Sequence, residues 1–259
     1  MRLLFILLLT ASLLACGLEK DETAGFSAKE LYDEAQASIN AAEFQAAVKD
    51  LESLEARYPF DPYAKQAQLD IAYAYYKAEE LDQATGAIDR FARLHPRDKN
   101  MDYVYYLKGL INFNRGQGLL DAWFPRSPSL HDPAILELAF SNFETLVKRF
   151  PNSPYAGDAY QRMVYLRNQM AEKDILIAKF YIERKSWLSS ANRAKEVIIK
   201  YPDTIWIKEA LEILLLSYQK LGLTTLAADT QKVIDYNDFS DVSSTIDPGL
   251  FSSEPLPSL

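Results

Sequence analysis

The sequence predicts an all-α protein, a solenoid of about five helix pairs or ten helices. Two observations point there: a Gly-poor composition, 9 of 259 residues, and a helix-ending aromatic–Pro signal that recurs along the chain. With 49% hydrophobic and 25% charged residues, the composition is globular and excludes wholesale disorder. One Cys and two His (His95 and His131) exclude an internal disulfide and leave too few ligands for a Cys/His zinc site. A formal charge of −8 argues against a nucleic-acid binder, which needs a basic face.

The recurring signal is Tyr58-Pro59, His95-Pro96, Phe150-Pro151 and Tyr201-Pro202. Twelve residues before each Pro stands a small residue: Ala47, Ala84, Ala139 and Ser190. Eight before stand Leu51, Ile88, Phe143 and Ala194; five before stand Leu54, Phe91, Leu146 and Val197. Gaps of four and three put each trio on one helical face that stops at the Pro. That is the pattern of the second helix of a tetratricopeptide (TPR) repeat, whose small residue lets two helices approach closely. The Pro-to-Pro spacings are 37, 55 and 51, against a TPR period of about 34 residues. Removing the 18-residue insert Gly116–Pro133 leaves 37 of the 55, and removing a 17-residue helical extension between Pro154 and Met170 leaves 34 of the 51.

Helix starts agree with this register. Ser27-x-x-Glu30 is a capping box. Asp61-Pro62, Asp132-Pro133 and Ser153-Pro154 each set a capping oxygen before a Pro at the first helical position. Asp203-Thr204 caps the next helix, and Thr224 opens the last. The expected helices are roughly 27–40, 43–58, 62–76, 80–94, 99–115, 134–150, 154–184, 187–201, 204–220 and 224–236. They divide into N-terminal repeats (27–115), the insert loop (116–133) and C-terminal repeats (134–236). Residues 237–259 are Ser/Pro-rich with four acids and no base, the composition of a disordered tail.

The amino terminus carries a targeting signal. Leu3–Ala15 is an apolar run of 13 residues, too short to span a bilayer and suited to a signal-peptide core. It ends in Leu13-Leu14-Ala15-Cys16-Gly17, which resembles the bacterial lipobox. An ordinary secretory signal or an N-terminal anchor is the alternative, with Cys16 incidental. On the lipobox reading, 1–15 is the lipoprotein signal peptide and Cys16 takes a diacylglycerol and an N-acyl chain, enough for stable anchoring. Residues 16–26 then form a lipidated tether. Gly17 in place of Asp fits sorting to the outer membrane, facing the periplasm.

These features, with Arg57-Tyr58-Pro59-Phe60-Asp61-Pro62-Tyr63, Ala74-Tyr75-Tyr76-Lys77 and Ala87-Ile88-Asp89-Arg90-Phe91, resemble the BamD family. Phe150-Pro151-Asn152-Ser153 and Tyr181-Ile182-Glu183-Arg184 add to the likeness, although Asp61 replaces the Gly expected in that turn. BamD proteins are TPR lipoproteins of the outer-membrane β-barrel assembly machinery (BAM). The resemblance implies a scaffold that docks on the POTRA domains of the barrel insertase BamA. It further implies company with BamC and BamE, and help in receiving unfolded outer-membrane protein clients. A pilotin-type TPR lipoprotein for secretin or pilus assembly is the alternative.

With each Pro as the last position of its repeat, Tyr32, Tyr73, Tyr76, Tyr103, Tyr106 and Phe113 fall on the groove face of the first helices. Their core positions go to Ala72, Tyr75, Tyr105 and Gly109. Tyr58, Arg90 and Arg93 join the candidate peptide-binding set; rigid aromatics suit a groove that grips a peptide. Aromatics at helical spacing are more often core, and the arginines equally suit solvated helix ends. Arg193, in an Asn192-Arg193 pair that matches one in the family, is the candidate for insertase docking. The apolar insert segment Leu119–Phe124 is either a plug or a docking site. No Gly-rich phosphate loop or nucleophile elbow is present, so the expectation is no enzyme, no metal and no cofactor beyond the acyl chains.

Overall fold

A computed structural model describes residues 23–115 and 132–237, together with Phe239. The signal peptide with Cys16, most of the insert and the tail beyond 239 lie outside the described residues. Ten helices are seen, with no strand among the described residues: α1 Ala28–Asn40, α2 Phe44–Arg57, α3 Pro62–Lys77, α4 Leu81–Leu94 and α5 Met101–Arg115, then α6 Pro133–Arg149, α7 Ala156–Glu183, α8 Trp187–Lys200, α9 Ile207–Lys220 and α10 Thr224–Tyr236. The chain divides into two compact units, Met1–Ala87 and Ile88–Leu259. In the first, α2 packs on α1 and α3, and α1 also reaches α3; in the second, each helix from α5 to α10 packs on its successor, and α7 reaches α9.

All twelve repeat positions named above, from Ala47 to Val197, are fully buried at 0% exposure. The Pro register therefore locates the core face of four helices. Each ends in the same turn. Tyr58, Phe150 and Tyr201 leave the helix with φ near −130° while their N–H groups still reach the carbonyl four residues back, as does that of His95. A residue before Pro avoids the helical region, so the stop is built in. Within repeats, α1–α2, α3–α4, α7–α8 and α9–α10 share another turn, with a left-handed residue at Ala42, Glu79, Lys185 and Gly222. In the first of these, Glu43 N–H donates to the Ser38 carbonyl at 2.8 Å and Ala42 N–H to Ile39 at 3.0 Å, a Schellman closure that satisfies the orphan helix-end carbonyls.

The capping box at Ser27–Glu30 is present, and Asp61 and Asp132 accept from the Tyr63 and Ala134 N–H groups as expected. Two starts differ. α7 starts at Ala156: the Ser153 hydroxyl accepts from the Tyr155 N–H at 3.2 Å, as expected of a cap, and also donates to Asp102 at 2.8 Å. α9 starts at Ile207, because Asp203 pairs with Arg167 and the Thr204 hydroxyl turns back to the Tyr201 carbonyl. In both places the cap residue also makes a contact outside the helix it was expected to start. Gly109 on α5 faces Phe143 on α6 so closely that an added Cβ would lie 2.3 Å from the ring.

Candidate functional site

Helix spacing sets Gln66, Asp70 and Tyr73 along one stripe of α3, facing Tyr32 and Gln36 of α1. Asp70 is only 7% exposed. Its carboxylate accepts from the Tyr32 hydroxyl at 3.0 Å, Gln36 Nε2 at 2.8 Å and Gln66 Nε2 at 3.0 Å. Burial pushes the Asp70 carboxyl up to about 6, against the pull of those three donors. Burial, with Asp70 beside them, raises the Tyr32 and Tyr73 phenols as well. The Tyr32 ring lies 5.0 Å from that of Tyr63. Of the candidates in the first unit, Tyr32, Tyr58, Tyr73 and Tyr76 are all half-buried. Tyr58 has a local task too: its hydroxyl donates to the Phe26 carbonyl at 2.7 Å.

In the second unit, Tyr103 and Tyr106, expected on the groove face, are buried instead. Tyr106 stacks on Tyr155 at 4.8 Å and donates to Asp158 at 2.8 Å; Tyr103 lies 5.6 Å from Tyr155. Burial holds the Tyr106 phenol in its protonated form. Phe113 is half-buried between Phe143 and Tyr165, with the Arg162 guanidinium 5.1 Å from its ring centre. Tyr105, expected in the core, is half-buried and accepts from Arg149 at 2.8 Å. The cause is geometric: a repeat's first helix buries one face on its own partner and another on the next repeat's first helix. Filling the first face does not free the second.

Arg90 and Arg93 are exposed on α4. On α8, Arg193 donates to Asp174 at 3.1 Å while its side chain stays 44% exposed. Burial raises the Asp174 carboxyl, and Arg193 opposes that rise. Sequence reading missed the acids Asp70 and Asp158. Their signals were Gln66/Asp70 and Asp158/Arg162, polar pairs four apart on first helices. No group of three or more His, Cys, Asp or Glu residues among the described residues is arranged to hold a metal ion, and no described helix is long and apolar enough to cross a membrane.

The sequence profile of the family described as YfiO, outer membrane lipoprotein, matches residues 25–234. The outer membrane protein assembly factor BamD of Neisseria meningitidis serogroup A is 45% identical over 215 residues, covering 83% of this chain and 80% of that protein. The Vibrio cholerae factor of the same name is 38% identical over 231 residues, covering 89% and 96%; that of Haemophilus influenzae is 36% identical over 234 residues, covering 90% and 89%. Among solved structures, a MamA RS-1 double mutant aligns at 13% identity with a TM-score of 0.40, covering 81% of this chain and 97% of that one, too loosely to argue from.

Proposed function

This chain belongs to the BamD family of outer membrane lipoproteins, and from that premise we propose that it serves outer-membrane protein assembly as a binding scaffold of the BAM complex. The observation that carries this is the 45% identity, sustained over 83% of the chain, with a protein named as an assembly factor. The geometry supports binding surfaces: packed helix pairs that leave half-buried tyrosines and exposed arginines at their edges.

Within that role, Tyr32, Tyr73 and Tyr76 of the first unit offer rigid aromatic area to an unfolded client's signal segment. Arg193 of the second unit offers a guanidinium to a carboxylate on the POTRA domains of BamA. BamC and BamE are the expected neighbours in the complex, and acylated Cys16 holds the chain on the periplasmic face of the outer membrane. The test is affinity purification of the tagged chain from detergent-solubilised outer membrane. A BamA-type barrel insertase should co-purify; recovery of a secretin in its place would overturn the reading.

A further inference from the structure

The four turns between repeats have one conformation. The N–H of Asp61, Asp98, Ser153 and Thr204 closes each onto the carbonyl of the aromatic or His before Pro. The position just after Pro is exposed in all four turns. Three repeats fill it with a polar side chain: Arg97, Asn152 and Asp203. The first fills it with Phe60, 98% exposed. A wholly exposed aromatic at a position that the other repeats keep polar is a feature of this turn alone.

The same turn receives the chain's amino-terminal segment. Arg57 Nη1 donates to the Thr23 carbonyl at 2.6 Å and Nη2 to the Thr23 hydroxyl at 3.3 Å; Tyr58 grips the Phe26 carbonyl at 2.7 Å. The first described residue is thereby fixed to the residues immediately preceding Pro59 and Phe60. Thr23 is seven residues from Cys16. At about 3.3–3.6 Å per residue, seven residues reach at most about 25 Å in any conformation.

We infer that Phe60 is a membrane contact: with Cys16 acylated, the Arg57–Tyr58 clamp keeps this turn close to the bilayer, and the Phe60 ring enters the lipid interface. The inference rests on the lipid-anchor reading above. Apolar faces of interfacial helices settle about 5–10 Å into the headgroup–acyl boundary; a single exposed ring can enter the same layer where the tether supplies the proximity that one ring could not. The lipid acts here as a surface that orients the first repeat, beyond its role as an anchor point.

The test uses the full mature lipoprotein in phosphatidylethanolamine–phosphatidylcholine vesicles. Cys16 is the chain's sole Cys, and acylation consumes its thiol. Phe60→Cys and Asn152→Cys therefore each carry a single site for an environment-sensitive fluorophore. Mass spectrometry first establishes the acyl chains. The label at 60 should then shift to the blue and be quenched by lipids brominated near the boundary, while the label at 152 stays unquenched. Equal, weak quenching at both sites of an acylated protein overturns the membrane contact and leaves the anchor standing. A blue shift at 60 that needs an added unfolded outer-membrane protein, and not lipid, overturns it in favour of a client contact. Absence of acyl chains removes the premise, and both readings fall together.

Discussion

Gly109→Ala and Gly86→Ala are the same chemical change at two helix-interior glycines, and they should move stability in opposite directions. Replacing Gly by Ala inside a helix gains about 1 kcal/mol, because the Gly backbone loses more freedom on folding. At Gly86 on α4 a new Cβ meets nothing within 4 Å, so that gain should appear in full. At Gly109 the new Cβ lies 2.3, 2.5 and 2.7 Å from three ring carbons of Phe143, against a carbon–carbon contact distance of about 3.5–4.0 Å. The ring has little room to yield: it is fully buried, with Tyr106 and Phe113 packed beside it at 6.2 and 6.5 Å. Overpacking of this kind costs about 1–3 kcal/mol, and a full ring edge in the way places it at the upper end. The net loss at Gly109 is therefore about 2 kcal/mol, leaving the two variants about 3 kcal/mol apart. Urea unfolding followed by far-UV circular dichroism measures both. Phe143→Leu, which removes the blocking ring edge, should make the added methyl at 109 tolerable, giving a positive coupling in the double-mutant cycle. Gly109→Ala as stable as the parent chain would refute the close approach of α5 to α6.

Three other outcomes follow from particular groups. Ser190 sits in the small-residue position that other repeats fill with Ala, and its buried hydroxyl has no hydrogen-bond partner among the described residues; Ser190→Ala should raise stability by about 1 kcal/mol in the same urea assay, and a loss would show a hidden partner. Asp70 has a folded pKa near 6 against 3.8 when free, so between these values the folded state holds the proton more tightly and stability falls as pH rises. Asp70→Asn lacks that dependence, so its stability relative to the parent should drop by up to about 3 kcal/mol as pH falls from 7 to 4; a constant difference would mean that Asp70 titrates normally. Arg193→Glu should abolish co-purification of the insertase while Asp174→Ala, which frees the guanidinium without removing it, retains it; loss in both would assign the effect to the Arg193–Asp174 pair rather than to docking.

Helix placement was legible because three independent signals agree on one register. The Pro register fixes the helix ends, the small residue fixes the contact face, and Asp61 and Asp132 fix two of the starts. Periodicity reports which residues share a face. It does not report how many faces of a helix are covered, and that is why Tyr103 and Tyr106 were expected in a groove and found buried. The same gap hid Asp70 and Asp158: an acid on a first helix looks solvated until the preceding repeat's first helix supplies a tyrosine hydroxyl. Both acids tie successive first helices together through phenols, so polar pairs there were packing determinants.

A chain of repeats carries its own internal comparison, and the departures separate by where they fall. Ser190 departs at a core position, where the other repeats show what fits, so its cost is one of stability. Phe60 departs at a turn position with full solvent access, where a phenyl ring contributes nothing to packing. A core departure can be explained by tolerance, since one unpaired hydroxyl costs only about 1–3 kcal/mol. An exposed aromatic on a rigid turn, clamped beside the segment that leads to Cys16, is explained by what the ring meets when the protein is at its membrane. Stability measurements should therefore respond to Ser190 and be indifferent to Phe60→Ser, whereas lipid-contact measurements should show the reverse.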